Sequence, residues 1–178
     1  MTRDLQQAVG WYRLAADQGY AEAQFQLAEN FAKGDGVLQD KSEAARLYCL
    51  AAKQGHAEAQ FNLALCYDSG VGFSRDKTQA FHCYRLAAEQ GHVVAQFNLG
   101  ICYYEGEGVT KDKVQAVRCF RLAAASGHAG AQLNLAQLYL YGVEVSQDRE
   151  EALRWAQLAA LQGHPSAQAL LAKIETSQ

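Results

Sequence analysis

The sequence has a single proline and no long apolar run. Both proline and glycine are unfavourable inside helices, so one proline among 178 residues leaves room for extensive helix if the 15 glycines lie between helices. No segment approaches the roughly 20 consecutive apolar residues of a membrane-spanning helix. Residues 1–11 lack the basic and then apolar pattern of a secretory leader. We therefore expect no membrane insertion and a cytoplasmic location, with a secreted or host-directed location as the alternative.

An excess of charge of either sign is also absent. The 16 lysines and arginines are balanced by 19 aspartates and glutamates, which gives a net charge of −3. Binding to a polyanion is driven largely by concentrated positive charge. Nucleic acid is therefore not an expected partner. The hydrophobic share of 49% and the charged share of 20% are those of a folded globular protein, which excludes disorder as the main state.

The sequence repeats itself every 36 residues. Glycines recur at Gly19, Gly55, Gly91, Gly127 and Gly163, and again at Gly34, Gly70, Gly106 and Gly142. Ala-Gln pairs recur in the same register, at 23–24, 59–60, 95–96, 131–132 and 167–168. A period of this length predicts an array of repeated supersecondary units.

Each period contains two segments of helical length, in which apolar residues recur every three or four positions. In the second period, helix A is predicted at about 56–69 and helix B at about 76–90. Gly70 and Gly72 lie in the loop between them, where a positive φ ends a helix, and Asp76 is the predicted N-cap of helix B. The fold class predicted from these signals is all-α.

The second period carries the motif AxAQFNLALCYDSGVGFSRDKTQAFHCYRLAAEQGH at residues 57–92, which resembles the Sel1-like repeat. This family is related to the tetratricopeptide repeat, but its loop is longer and its period exceeds 34 residues. The resemblance covers nearly the whole chain and implies a right-handed α/α solenoid, or superhelix, that serves as a scaffold for protein partners. In the fourth period, Gly142-Val143-Glu144-Val145 replaces the GxGV loop, so the resemblance does not predict the conformation of that loop.

We expect one solenoid domain over residues 1–178. The predicted full repeats are 20–55, 56–91, 92–127 and 128–163. A helix B alone is expected at 1–19 and a helix A alone at 164–178, where Pro165 fits a helix start. Leu170, Leu171 and Ile174 suggest uncovered apolar surface at the C-terminal end, which predicts self-association through an array end or excision from a longer array.

One polar position recurs on the predicted A helices and holds Gln26, Asn62, Asn98 and Asn134. In a solenoid of helix pairs the A helices line the inner curve, so residues three, four and seven positions further on share one face of a groove. The candidate binding residues on this concave face are Gln26, Asn62, Leu65, Asn98, Ile101, Glu105, Asn134, Gln137 and Tyr141. An asparagine both donates and accepts hydrogen bonds, so a ladder of them fits the backbone of a protein segment or extended peptide. The alternative is that these amides bond only locally or to water.

Aromatic residues such as Trp11, Phe61 and Trp155 lie on the predicted apolar stripes. We expect them to pack in the core, since core packing is more common than ligand stacking. Tyr104 and Tyr141, near the ends of A helices, are the candidates for exposed anchors.

Cysteines and histidines are interpreted as structural. Cys49, Cys66, Cys83, Cys102 and Cys119 lie in or beside the helical stripes and are expected as buried thiols in a reducing compartment. A Cys66–Cys83 or Cys102–Cys119 disulfide is the alternative. His56, His92, His128 and His164 lie a full repeat apart, on the order of 10 Å or more, which is too far to share a metal ion. We therefore predict no metal and no cofactor.

The predicted function is a non-catalytic scaffold or adaptor, and the competing function is hydrolysis. Ser74-Arg75-Asp76-Lys77 matches SxxK, in which a lysine activates a serine, and some cysteine-rich relatives of the resembled family are described as β-lactamase-like. Ser74 lies in the variable loop before helix B, and neither SDN nor KTG follows. We therefore assign no catalytic residue. A secreted or host-directed effector that uses the same surface is the other alternative.

Overall fold

The structure is a computed structural model that describes residues 2–176, with side chains described from residue 4. This part of the chain contains ten helices and no strand. The helices are α1 (Thr2–Asp17), α2 (Ala21–Lys33), α3 (Lys41–Lys53), α4 (Ala57–Ser69), α5 (Lys77–Glu89), α6 (Val93–Glu105), α7 (Lys113–Ala125), α8 (Ala129–Tyr141), α9 (Arg149–Leu161) and α10 (Pro165–Thr176). Even-numbered helices are the predicted A helices and odd-numbered helices are the predicted B helices. The all-α prediction is confirmed.

The helices fall into two compact units, Met1–His92 with α1–α5 and Val93–Gln178 with α6–α10. Within each unit, every helix packs against the next one along the chain. The contact is most extensive between the A and B helices of the same repeat. Each repeat is therefore a helix pair that is joined to its neighbour in the same unit by a smaller contact.

Aspartates start four of the B helices. The carboxylates of Asp40, Asp76 and Asp148 each accept hydrogen bonds of 3.0 Å from the backbone N–H groups two and three residues further on. Asp112 accepts one from the N–H of Gln115, also at 3.0 Å. These bonds satisfy N–H groups that have no partner inside the helix, which is the role of an N-cap. The N-cap prediction for Asp76 is confirmed.

The loop from helix A to helix B approaches another helix closely at its second glycine. A Cβ atom added to Gly72 would lie 2.5 Å from Cβ of Ala45 and 2.9 Å from the carbonyl oxygen of Lys41. In the fourth repeat Glu144 takes this position with a φ of 56°, and no other non-glycine in the described residues has a positive φ. The fourth loop therefore keeps a left-handed residue at this position, at a steric cost of about 1–2 kcal/mol.

Small residues fill the contacts between helices. Ala28, Ala64 and Ala136 occupy one position of the A helices and are fully buried. Gly100 takes this position on α6, where an added Cβ would lie 2.6 Å from a ring carbon of Phe120 on α7. The missing methyl group therefore makes room for the buried Phe120 ring.

Two sequence-based expectations about apolar residues are wrong. Trp11 is not a core residue, because 72% of its surface is exposed. Leu170 and Ile174 do not leave apolar surface at the C-terminal end, because their side of α10 packs into a cluster with α8 and α9. Of the three residues expected there, Leu171 alone is half-buried.

Candidate functional site

In the first unit a pocket of about 260 Å³ lies between α2, α3 and α4. Its lining consists of Glu29, Ala32, Lys41, Ala44, Tyr48, Asn62, Leu65, Cys66, Ser69 and Val71. Two of the predicted binding residues, Asn62 and Leu65, are therefore in this pocket. The third from this unit, Gln26, is outside the lining and donates a hydrogen bond of 2.8 Å to Glu22 Oε1 on its own helix.

In the first-unit pocket, the Glu29 carboxylate forms hydrogen bonds with the neighbouring polar side chains. Glu29 Oε1 accepts hydrogen bonds from the Tyr48 hydroxyl at 2.5 Å and from Asn62 Nδ2 at 3.0 Å. Its Oε2 lies 2.5 Å from Lys33 Nζ. Partial burial opposes the charge of Glu29, but the hydrogen bonds from Lys33 and Tyr48 outweigh it and lower the pKa of this carboxyl. Asn62 therefore bonds locally, as the alternative interpretation of the asparagines has it.

The second unit has a pocket of about 270 Å³ at the matching repeat positions, between α6, α7 and α8. Its lining consists of Ile101, Tyr104, Glu105, Phe120, Asn134, Gln137, Leu138, Tyr141 and Val143. Five predicted residues meet here, namely Ile101, Glu105, Asn134, Gln137 and Tyr141. The sixth from this unit, Asn98, is half-buried on α6 outside the lining.

Two replacements distinguish this second-unit pocket from the first. Ile101 stands where the first unit has Glu29, and Phe120 stands where it has Tyr48. Asn134 matches Asn62 in the repeat. The two residues beside the Asn62 amide are polar, whereas the residues at the matching positions in the second unit are apolar. Within residues 4–176, the side chains of Asn98 and Asn134 have no hydrogen-bond partner. The hydrogen-bonding groups of the Asn134 amide are therefore unpaired in this part of the chain.

Tyrosines and lysines form part of the rim of the second-unit pocket. Lys111 Nζ and Lys113 Nζ lie 5.7 and 5.4 Å from the ring centroid of Tyr104. Lys173 Nζ lies 5.2 Å from the centroid of Tyr141 and donates to its hydroxyl at 2.8 Å. These cation–π contacts hold both rings in place. Tyr141 is 54% exposed and Tyr104 is half-buried.

Sequence reasoning missed Glu29 and Tyr48, which decide whether the asparagine is available. Glu29 lies three residues after Gln26, the same offset that identified Leu65, Ile101 and Gln137. Applying this offset to the first repeat would have found a carboxylate among apolar and amide residues. For Tyr48, the hydrogen-bond donor on helix α3, no comparable offset in the sequence predicts its position in the pocket.

The two residues of the SxxK segment have different surroundings. Ser74 is exposed in the loop before α5. The Lys77 ammonium forms an ion pair with the carboxylate of Asp68.

Two of the repeated histidines, His56 and His128, cap A helices through their rings. Nδ1 of His56 accepts the N–H of Ala59 at 3.2 Å, and Nδ1 of His128 accepts the N–H of Ala131 at 3.1 Å. The His128 ring stacks on Phe97 with centroids 4.4 Å apart, and burial lowers its pKa. Among the described residues, no group of three potential ligands is placed to hold a metal ion.

All five cysteines carry free thiols. Cys66, Cys83, Cys102 and Cys119 are buried, and Cys49 is half-buried. Burial raises the pKa of Cys83 and of Cys119 to about 11, which keeps both in the unreactive thiol form at neutral pH.

Over residues 2–176, no helix combines the length and hydropathy needed to cross a bilayer.

Known structures share this arrangement. The chain is similar to c5321, described as a protective antigen of uropathogenic Escherichia coli strains with an SLR fold, at 31% identity and a TM-score of 0.93. That match covers 98% of this chain and 38% of the antigen. A Sel1 repeat protein from Oxalobacter formigenes matches at 36% identity and a TM-score of 0.84, over 95% of this chain and 67% of the other. Cysteine-rich protein B of Helicobacter pylori, at 23% identity, a TM-score of 0.57 and coverage of 74% and 94%, shares the fold.

No curated protein matches the chain. The model of the Sel1 repeat matches residues 1–20, 21–56, 57–92, 93–128 and 129–164. Proteins with these repeats are typically interaction scaffolds, and their fold is generally non-catalytic. The predicted resemblance and the α/α solenoid class are confirmed. With five matches in direct succession, the chain belongs to the Sel1 repeat family.

Proposed function

We propose that this chain is a non-catalytic scaffold that binds a protein segment along its A helices, with the second-unit pocket as the main contact. The observation that supports this most directly is the Asn134 amide. It lines the pocket beside the apolar side chains of Ile101 and Phe120 and has no hydrogen-bond partner among the described residues, whereas the matching Asn62 donates to Glu29. The typical role of Sel1 repeats supports the same function.

The pocket suits one apolar side chain of an extended segment. Each backbone unit of such a segment offers one N–H and one C=O, and the Asn134 amide pairs with both kinds of group. Ile101, Phe120 and Leu138 supply apolar surface beside this amide. Full burial of an aliphatic or aromatic side chain there is worth roughly 1.5–3 kcal/mol.

A phage-displayed library of random peptides tests this proposal without a known partner. The library is panned on the wild-type chain, and the affinity of the selected peptides is measured by calorimetry. We expect Asn134→Ala to weaken binding by roughly 5- to 150-fold, which corresponds to the 1–3 kcal/mol cost of leaving a buried polar group unpaired. Asn62→Ala is the matched control and should bind the same peptides with unchanged affinity. Peptides that bind Asn134→Ala and the wild type equally well would refute the assignment of the pocket.

The absence of catalysis is part of the proposal and is supported by the SxxK segment. Because Lys77 pairs with Asp68, the nearby exposed Ser74 has no general base in that lysine. A nitrocefin assay should therefore show no turnover above background for the wild type or for Ser74→Ala. Turnover that disappears in Ser74→Ala would establish the hydrolase instead.

A cytoplasmic location is likewise part of the proposal. It is supported by the five free thiols, four of them buried. A thiol titration of protein purified from its natural host under non-reducing conditions should count five thiols per chain. A lower count restored by a reductant would contradict a reducing compartment.

A further inference from the structure

The exposed edge of the second-unit pocket carries a charge whose sign is reversed at the matching position of the first unit. Glu105, the last residue of α6, is the only charged residue among the described residues that line the second-unit pocket. The matching position in the first unit is Lys33, the last residue of α2. Glu105 is exposed, and its carboxylate forms no ion pair or hydrogen bond with another described residue. The second-unit pocket therefore has an unpaired negative charge at its edge.

The first unit shows how a cation is accommodated at this position. Lys33 Nζ lies 2.5 Å from Oε2 of Glu29, which is one helical turn earlier on α2. Helix α2 therefore provides both the ammonium and the carboxylate of this ion pair. In α6 the same two positions hold Ile101 and Glu105, so the pair has no counterpart there. A cation that pairs with Glu105 would come from a bound partner.

Two helix ends add to this negative charge. Helix α6 ends at Glu105 and helix α8 ends at Tyr141, and both residues line the pocket. The C-terminal end of a helix carries a partial negative charge, which favours a cation nearby. Helix α2 has Lys33 in its last turn, whereas neither α6 nor α8 has a basic residue there. The helix ends and Glu105 therefore favour a ligand of the same sign.

Three lysines near the pocket contact tyrosine rings and not the Glu105 carboxylate. They are Lys111 and Lys113, which lie over Tyr104, and Lys173, which lies over Tyr141. None of these lysines is part of the lining. They would attract an acidic residue outside the pocket, so an acidic partner is the competing chemistry. A basic partner is favoured because Glu105 is the charged group that a ligand inside the pocket would contact.

We propose that the bound segment carries an arginine two residues from the apolar side chain that fills the second-unit pocket, and that this arginine pairs with Glu105. This pairing rests on the proposed function, because it needs a segment bound in the pocket. Glu105 follows Ile101 by four residues, which is about 6 Å along α6. Side chains two residues apart on an extended segment lie on one side, about 6.6 Å from each other. In a segment that runs along α6, an apolar side chain over Ile101 therefore places the arginine over Glu105.

Arginine fits this position better than lysine. Its guanidinium has five N–H donors in a planar fork, which binds a carboxylate through two parallel hydrogen bonds. The Gln137 amide is exposed in the same lining and offers a further acceptor. Lysine has three donors on a compact ammonium that is more strongly hydrated, so it loses more hydration when it enters a contact.

Peptides selected on the wild-type chain from the random library test this inference. We expect an arginine two residues from a shared apolar residue. Changing this arginine to glutamate in the peptide should weaken binding to the wild type roughly tenfold, because loss of an exposed charge pair accounts for up to about fivefold and the new repulsion adds a similar factor. Glu105→Lys introduces the residue type of the first unit and should reverse the preference, so that the glutamate peptide binds more tightly than the arginine peptide. Glu150→Lys makes the same change in net charge at an exposed position of α9, outside the lining, and should bind like the wild type.

The outcomes separate this inference from the proposed function. Selected peptides without an arginine, or with an acidic residue in its place, would overturn the inference. Equal binding of the arginine peptide by Glu105→Lys and the wild type would also overturn it, and Asn134→Ala would still report on the proposed function. A library that yields no binder, or peptides that bind Asn134→Ala as tightly as the wild type, would overturn both. Circular dichroism checks that Glu105→Lys remains helical, and Glu105→Gln, which should weaken the arginine peptide by up to about fivefold, replaces it if it does not fold.

Discussion

Substituting the two matching asparagines should separate a structural amide from a binding amide. Asn62 and Asn134 are each the sixth residue of a 13-residue A helix. The Asn62 amide donates to the Glu29 carboxylate at 3.0 Å, and the Asn134 amide has no partner among the described residues. Asn62→Ala therefore removes a hydrogen bond, whereas Asn134→Ala removes none from the free protein.

The expected difference in stability follows from these contacts. A hydrogen bond to a charged group contributes about 1.5–3 kcal/mol, and the Glu29 side chain is only 24% exposed, so solvent weakens this bond little. Alanine is favoured over asparagine inside a helix by up to about 0.7 kcal/mol, and this gain is the same at both positions. We therefore expect Asn62→Ala to lower the unfolding free energy by about 1–2 kcal/mol. Asn134→Ala should leave it unchanged or raise it by about 0.5 kcal/mol.

Urea denaturation followed by circular dichroism measures both changes. A double-mutant cycle with Glu29→Ala and Asn62→Ala adds a control, and its coupling energy should be about 0.5–3 kcal/mol, as for residues in contact. Tyr48→Phe should lower the stability of the wild type as well, because Tyr48 donates to the same carboxylate. Equal stability changes for Asn62→Ala and Asn134→Ala, or a coupling energy near zero, would refute the distinction between the two pockets.

Three further predictions concern the loop, the helix contact and the caps. Glu144→Gly should raise the unfolding free energy by about 1 kcal/mol in urea denaturation, because φ is 56° there, and Glu144→Ala should not reproduce this gain. Gly100→Ala should lower it by about 1–3 kcal/mol, since the added Cβ meets the Phe120 ring at 2.6 Å, and Phe120→Leu should relieve part of this loss. Burial lowers the pKa of His128 below its usual value of 6.5, so the folded state favours neutral imidazole. The contribution of His128 to stability is therefore present above pH 6.5 and is lost as the pH falls through the lower pKa of the folded state. The urea midpoint of the wild type should fall more between pH 7.5 and pH 5 than the midpoint of His128→Asn, a variant that keeps a capping side chain.

The helices could be predicted from the sequence because their signals are local. Asp76 caps the helix that begins one residue later, and Gly70 ends the helix just before it with a φ of 76°. Ala28, Ala64 and Ala136 are small wherever two helices approach closely, so their recurrence predicted burial. Each of these features depends on residues within one period. Comparing five periods therefore located the helices.

The availability of each asparagine could not be predicted in this way. Asn62 has a partner because Glu29, a repeat earlier, and Tyr48, on another helix, point a carboxylate and a hydroxyl at one spot. Trp11 is likewise exposed because no A helix of its own repeat lies among the described residues, whereas its place on an apolar stripe predicts burial. Both outcomes depend on which helix lies opposite, so the repeat pattern alone predicted neither.

The two pockets show how a repeat array acquires distinct surfaces without changing its backbone. Both are built from matching helices and hold an asparagine at the same position, so the chemical difference lies in two side chains of the wall. Glu29 and Tyr48 satisfy the amide of Asn62 within the protein, and a ligand would have to break these bonds to use it. Ile101 and Phe120 offer the Asn134 amide no polar partner, so a ligand would gain a hydrogen bond there without breaking an internal one. We therefore propose that affinity along the array depends on the residues that surround each amide, so that the number of asparagines overestimates the number of binding positions.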